Sequence, residues 1–357
     1  MAFVTLNKKS LETNYNYLKN LFKEHDKEWA PVVKMLCGHK QFLEFILSLG
    51  EEQVCDARLT NLKTIKSINP KVETIYIKPP AKRSIKSVVK YADVSFNTEF
   101  TTIKWLSEEA KVQNKVHRII IMIELGDLRE GILGEHLLDF YKKVFDLPNI
   151  KVVGIGANLN CLSGVMPSKD KLIQLSLYEQ LIEAKFGKKI DYVTGGSSVM
   201  IPLLQKRQIP KGVNHFRIGE TLFFGIDLFT NKTIPKMKND VFLLHAEIIE
   251  ITEKPVLPYG DLEENPSGEL LEINPEDYGN THKRAILDIG LLDIATTDFL
   301  IPVDTKLTFI GASSDMLVVD LDNSRKKYKV GDVVSFKMKY MGALRIMNSR
   351  YIEKRLI

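Results

Sequence analysis

Ala30-Pro31-Val32-Val33-Lys34-Met35-Leu36-Cys37-Gly38-His39 is the stretch from which the rest of the chain is read. A short apolar run, β-branched at its end, leads straight into Lys34, and Gly38 follows four residues later. The pattern predicts a buried strand, Pro31 to Lys34, whose last residue leaves the sheet and points into a cleft. An amine placed there is desolvated on one side, which disfavours the ammonium form and favours a nucleophile near neutral pH. A lysine that condenses with a carbonyl needs that property. The alternative is a lysine that snorkels off a strand end and does no chemistry. The stretches downstream separate the two.

The chain has 357 residues, 44% hydrophobic and 27% charged. That predicts a soluble globular protein with two domains, or one large barrel with an appendage. The net charge of +5 is spread along the chain, and its one tight basic run, Arg325-Lys326-Lys327, reads as a solvated turn and not as a nucleic-acid patch. The three Cys, at 37, 55 and 161, have no CxxC or Cys/His ligand spacing, so no metal is expected. An odd, sparse set fits a reducing cytosol. Met1 to Ser10 lacks the apolar core of a signal peptide, and the run through Ile119-Ile120-Ile121-Met122-Ile123 is too short to span a bilayer. The expectation is a cytoplasmic protein with no nucleic-acid or membrane partner.

Leu11, Tyr15, Leu18 and Phe22 recur at helical spacing after Asn7, so a helix precedes strand one. Further strands are expected at Gln53 to Cys55, Thr74 to Ile77, Ala92 to Phe96, Arg118 to Glu124, Val152 to Ile155, Ile190 to Val193 and Val213 to Arg217, with helices between them. Eight short buried strands alternating with helices predict an α/β protein with a parallel sheet, in the count of a TIM barrel. An open doubly wound sheet would be expected to carry GxGxxG after strand one, and that motif is absent. From about residue 240 the reading changes to strands at 241–251, 284–289, 306–310, 316–321 and 333–337, with no helical period visible, which predicts a separate β domain. The expected division is a barrel over 8–230 and a β domain over 231–357, joined by residues 1–7. Asp261 to Thr281 is an acidic connection rich in Pro and Gly.

In a parallel barrel the chemistry sits at the carboxyl ends of the strands, and phosphate is often held after strands seven and eight. Strand seven runs into Thr194-Gly195-Gly196-Ser197-Ser198, whose backbone N–H groups and hydroxyls suit an anion. Strand eight runs into Phe216-Arg217-Ile218-Gly219-Glu220. Strand five ends in Glu124-Leu125-Gly126-Asp127-Leu128-Arg129-Glu130-Gly131, where an Arg can fork onto a carboxylate or a phenolate oxygen. The plain readings are an ordinary turn and a salt-bridged loop.

A lysine ending strand one, an Arg after strand five, a Ser-containing Gly turn after strand seven and Arg-x-Gly after strand eight, with a β domain behind them, resemble the alanine racemase family of fold-type III pyridoxal-phosphate enzymes. The resemblance covers nearly the whole chain. Within the family it is strongest to the predicted amino-acid racemases that include ornithine racemase, through 124–131 and Gly311-Ala312-Ser313-Ser314-Asp315. It implies a pyridoxal 5'-phosphate-dependent amino-acid racemase that works as a homodimer with shared active sites. Lys34 would bind the cofactor and act as one base. Tyr259, in Leu257-Pro258-Tyr259-Gly260, would be the opposite base, reaching in from a partner subunit. Arg217 would face the pyridine nitrogen, and Arg129 the cofactor hydroxyl and the substrate carboxylate. Ser197 or Ser198, Gly219 and Tyr340 would hold the phosphate, and Asp315 would cross the dimer interface to the substrate.

Two departures from the family pattern stand out. The turn after Lys34 is one residue shorter and lacks the Tyr that helps to hold phosphate. Met122 stands where some members carry a modified lysine, so Arg129 must be oriented by another group, with Asp127 and Glu124 the candidates. Both argue for a substrate other than alanine, such as ornithine or lysine. The rival readings are a decarboxylase or aldolase on the same fold, and a protein that binds pyridoxal phosphate without catalysis.

Overall fold

The computed structural model describes residues 2–264, 268 and 270–357, so residues 265–267 and 269 of the acidic connection lie outside the described residues. The chain enters through β1 (Phe3–Leu6) and α1 (Lys8–Glu24). Asn7 caps α1 by accepting the Ser10 N–H at 3.1 Å, and Leu11, Tyr15, Leu18 and Phe22 form its buried face.

Strands β2 (Glu28–Pro31), β3 (Gln53–Asp56), β4 (Glu73–Tyr76), β5 (Val94–Asn97), β6 (His117–Met122), β7 (Ile150–Gly156), β8 (Tyr192–Thr194) and β9 (His215–Ile218) form one parallel sheet in the order β2-β9-β8-β7-β6-β5-β4-β3. Val32 bridges Cys55, and the Val33 N–H donates to the Cys55 carbonyl at 2.9 Å, which brings the two edges together into a barrel. The crossovers carry α2 (Lys40–Ser48), α3 (Leu59–Ile68), α4 (Ile85–Tyr91), α5 (Phe100–Val112), α6 (Leu137–Phe145), α7 (Lys169–Phe186) and α8 (Ile201–Gln205), and α9 (Glu220–Phe224) follows β9. Ala30, Val32, Cys55, Ile75, Val94, Phe96, Ile120, Met122 and Val153 fill the barrel. Its amino-terminal end is plugged by a polar layer. There Arg118 pairs with Glu73, and the Gln53 amide donates to Glu73 at 2.8 Å and to the Tyr192 hydroxyl at 2.7 Å.

The boundaries differ from the sequence reading in one place that matters. Strand one ends at Pro31, and Lys34 opens a 3₁₀ turn, Lys34–Leu36. The β-branched pair Val32-Val33 reads as extended, but Val33 has ψ 7° and turns the chain off the sheet before the lysine.

The second compact unit joins Met1–Leu6 to Phe242–Ile357, while Asn7–Val241 makes the first. It is built on β10 (Phe242–Pro255), β11 (Thr281–Leu287), β12 (Leu300–Pro302), β13 (Thr308–Ala312), β14 (Leu317–Asp320), β15 (Val333–Met338) and β16 (Glu353–Leu356). Their order is β12-β15-β10-β11-β14-β13, and β1 pairs antiparallel with β10 and parallel with β16. This unit also holds helices, contrary to the sequence reading: α10 (Leu291–Ile294) and α11 (Tyr340–Asn348). Gly342, Ala343, Ile346 and Met347 are the buried face of α11, and a Cβ on Gly342 would lie 2.7 Å from that of Phe299, which explains the glycine.

Candidate active site

Lys34, Arg129, Ser197, Ser198 and Gly219 lie on the connections that leave the carboxyl ends of barrel strands, and Arg217 is the next-to-last residue of β9. Lys34 is half-buried after β2. The turn that follows it is tight: Cys37 has φ 49° and Gly38 φ 77°, and a Cβ on Gly38 would meet the Asn61 amide oxygen at 2.7 Å. Asn61 in turn donates to both oxygens of Asp56 at 3.2 and 3.1 Å, and Asp56 also accepts the Arg58 N–H at 2.7 Å. Burial pushes the Asp56 carboxyl up to about 6, against these hydrogen bonds and the nearby charge of Lys34. Glu220 is raised by burial too, again against Lys34. Sequence reasoning missed both carboxylates, since neither stands at a recognised spacing.

Arg217 is 4% exposed. Its guanidinium donates to the Ala157 carbonyl at 2.8 Å and to Thr194, and it lies 5.1 Å from the centre of the Phe96 ring. Burial lowers it to about 10, which leaves it cationic at neutral pH. Among the described residues no carboxylate forms an ion pair with it. The Ser198 hydroxyl accepts the Gly219 N–H at 3.3 Å and the Thr221 N–H at 3.1 Å, so the turns after β8 and β9 are tied together by one oxygen. Ser198 is buried and Ser197 half-buried beside it. Gly196 has φ 143° and needs glycine, while at Gly219 a Cβ would lie 3.1 Å from the Val32 carbonyl, a tight fit.

Arg129 stands in a loop pinned at its base. Gly131 has φ 147°, and a Cβ there would fall 2.3 Å from the Glu124 nitrogen. The Asp127 carboxylate accepts the N–H groups of Cys161, Leu162 and Ser163 at 3.2, 3.0 and 3.3 Å, which fastens the β7–α7 connection to this loop. The group that orients Arg129 is neither Asp127 nor Glu124. It is Glu130, whose two oxygens receive Nε and Nη2, while Nη1 points to the Cys161 sulfur. Asp127 is occupied by backbone, and Glu124 accepts the Gly126 N–H of its own loop.

Three expected residues belong to the second unit. Tyr259 follows β10 and is 94% exposed. Asp315 is at the β13–β14 turn, where the Ser314 hydroxyl donates to it at 2.7 Å. It lines a cavity of about 620 Å³ with Asp293, Arg345, Arg350 and Tyr351. Tyr340 is the half-buried first residue of α11. The sheet register also gathers His282, Asp320 and Asp322, which the spacing did not predict; His282 pairs with Asp320, and Asp320 accepts the Asp322 N–H at 2.8 Å.

Residues 6–227 match the family model "Alanine racemase, N-terminal domain". Over 355 residues the chain is 38% identical to ornithine racemase of Acetoanaerobium sticklandii, covering 99% of both chains. Over 349 residues it is 30% identical to lysine racemase of Thermotoga maritima, covering 98% of this chain and 96% of that one. Among solved structures it resembles alanine racemase from Bartonella henselae with covalently bound pyridoxal phosphate, at TM-score 0.75 and 16% identity, over 100% of this chain and 99% of the other. The fold, the family model over the barrel and the full-length relatives agree: the chain belongs to the alanine racemase family.

Proposed function

We propose that this chain interconverts the enantiomers of a basic amino acid, ornithine or lysine, using Lys34 and the Tyr259 of a second copy as opposed bases. It is an amino-acid racemase, an isomerase, and its cofactor is pyridoxal phosphate. The residues present suit that group. Arg217 is a buried cation that lacks a carboxylate partner among the described residues, and such a charge calls for an electron-rich acceptor beside it. Lys34 supplies an amine on the same rim, and the turns joined by Ser198 supply donors and close backbone for a phosphate. When bound, the cofactor supplies an aldehyde for the amine and a conjugated ring that acidifies the substrate's Cα–H.

The chain's own groups do the rest. Racemisation takes a proton from one face of Cα and returns one to the other, which two bases on opposite faces do most simply. Lys34 Nζ holds the proton on one face, and the Tyr259 Oη of the second copy on the other. Arg217 only donates, so it keeps the acceptor facing it unprotonated and limits the electron withdrawal that would lead to transamination. That also weighs against the decarboxylase reading, for which a carboxylate is expected in this place.

The homodimer is supported by surface chemistry. Tyr259, Leu270, Leu271, Ile273 and Tyr278 are all exposed on the connection between β10 and β11, and such apolar exposure suits a buried interface. The three Cys are free, which fits a reducing cytoplasm. No helix among the described residues is long and apolar enough to cross a membrane.

The observation that carries the proposal is that Lys34 and the buried Arg217, which forms no ion pair with a carboxylate among the described residues, stand at the same rim of the barrel. Its test is a panel of ornithine, lysine, alanine and serine enantiomers followed by chiral chromatography. Turnover of ornithine or lysine, cut at least about 100-fold by Tyr259→Phe, is expected. Turnover of alanine alone, or a Tyr259→Phe protein with full activity, contradicts it.

A further inference from the structure

We infer that Glu130 is the positioning residue of the active site, setting the direction in which Arg129 presents its guanidinium; this rests on the reading that Arg129 receives the substrate carboxylate. An arginine offers five N–H donors in a rigid fork. Glu130 takes the side-on edge, through Nε and Nη2. Cys161 takes one hydrogen of Nη1. What is left is one hydrogen on Nη1 and one on Nη2, enough to meet the two oxygens of a second carboxylate.

The surroundings hold this arrangement still. Gly131 closes the loop against Glu124, and Ile132 returns its N–H to the Met122 carbonyl at 2.9 Å, so Glu130 stands one residue from a fixed base. Asp127 binds the backbone of Cys161, which places the sulfur beside Nη1. The Glu130 side chain is 14% exposed, against 38% for Arg129, so the acid lies beneath and the base reaches outward. Glu130 is also close enough to act on Arg217 from a distance, as is Arg129. Glu130 and Arg129, neighbours in sequence, can pair because the backbone is a loop; on a helix, residues i and i+1 point apart.

The test uses the cofactor-loaded enzyme and four variants: Glu130→Gln, Glu130→Asp, Arg129→Met and Glu130→Gln with Arg129→Met. Each is scored for KM and kcat with ornithine and lysine. A second readout is the binding of propionate, an unreactive carboxylate, followed by the cofactor absorbance. Glu130→Gln should weaken propionate and raise KM about tenfold with a smaller change in kcat, because a disordered fork binds the carboxylate poorly. Glu130→Asp should recover part of the loss, and the double variant should be no worse than Arg129→Met. The inference is overturned if Arg129→Met weakens propionate while Glu130→Gln does not, or if the two losses add in full. If Arg129→Met itself leaves KM and propionate binding unchanged, the reading of Arg129 has failed, and the role given to Glu130 falls with it.

Discussion

At the scale of single residues, much of the candidate site is held by glycines whose need can be stated in distances. Gly131 is the sharpest case, with φ 147° and space for a Cβ only 2.3 Å from the Glu124 nitrogen. Gly131→Ala should therefore cost about 2–4 kcal/mol, through backbone strain and displacement of the strand that Glu124 follows. Its denaturation midpoint should fall, and KM should rise with it because Arg129 and Glu130 move. An alanine variant of unchanged stability would mean that the loop is not closed as described. Gly50, also at positive φ (91°) but with nothing near its Cβ position, is the control and should lose only the conformational part.

At the scale of elements, the Asp127 carboxylate joins two crossover connections through three backbone N–H groups. Those bonds outweigh its burial and hold the carboxyl below the usual range. The sign follows: a depressed carboxylate stabilises the fold above its unfolded value, near pH 4, and the gain is lost as pH falls through the folded value. Asp127→Asn keeps one acceptor and loses the charge. It should cost about 1–2 kcal/mol and speed amide exchange at Cys161, Leu162 and Ser163, read by hydrogen–deuterium exchange. Unchanged protection there would show that the two connections are fastened by something else.

Elements were also where the sequence was most and least readable. The barrel strands are legible because each is a short apolar run between turn residues, and the alternation with helices carries the parallel topology. Lys34 is misplaced by the same logic, since Val32-Val33 looks like strand while Val33 already turns. The α11 helix escapes because its buried face includes Gly342, a poor helix former, and because it follows directly on β15. Glu130 escapes because an adjacent acid and base carry no period; only the closed loop at Gly131 folds them together.

At the scale of the whole molecule, pH decides stability through buried histidines. Burial lowers His117 to about 4 and His215 to about 3, and both are held neutral, one against the Ser95 hydroxyl at 2.8 Å and the other against Thr194 at 2.9 Å. Unfolded, each takes a proton near pH 6.5, so the folded state loses ground as pH falls from 6.5 towards 4. Asp56, raised to about 6, works the other way below that pH, as do Glu51, Glu179 and Glu220, whose carboxyls burial also raises. Each histidine by itself contributes a loss of about 1.4 kcal/mol per pH unit between its unfolded and folded values. Between pH 6.5 and pH 4 the melting temperature of His117→Asn should therefore fall less, relative to its own value at pH 7, than that of the parent protein; an equal slope in that variant would exclude the histidine.

Assembly is tested at the same scale. If the Tyr259 of one copy completes the site of another, activity per chain should fall on dilution in step with dissociation measured by sedimentation. An active monomer would remove the shared site while leaving the family assignment intact.

The central claim is that Lys34 and a facing phenol take a proton from one face of Cα and return another to the opposite face. The direct measurement is to incubate a single enantiomer of ornithine with the enzyme in deuterated water, following optical rotation and mass together. Rotation should decay to zero while one deuterium enters at Cα and no carbon dioxide is released. Unchanged rotation in the recovered amino acid, or loss of its carboxyl group, would contradict it.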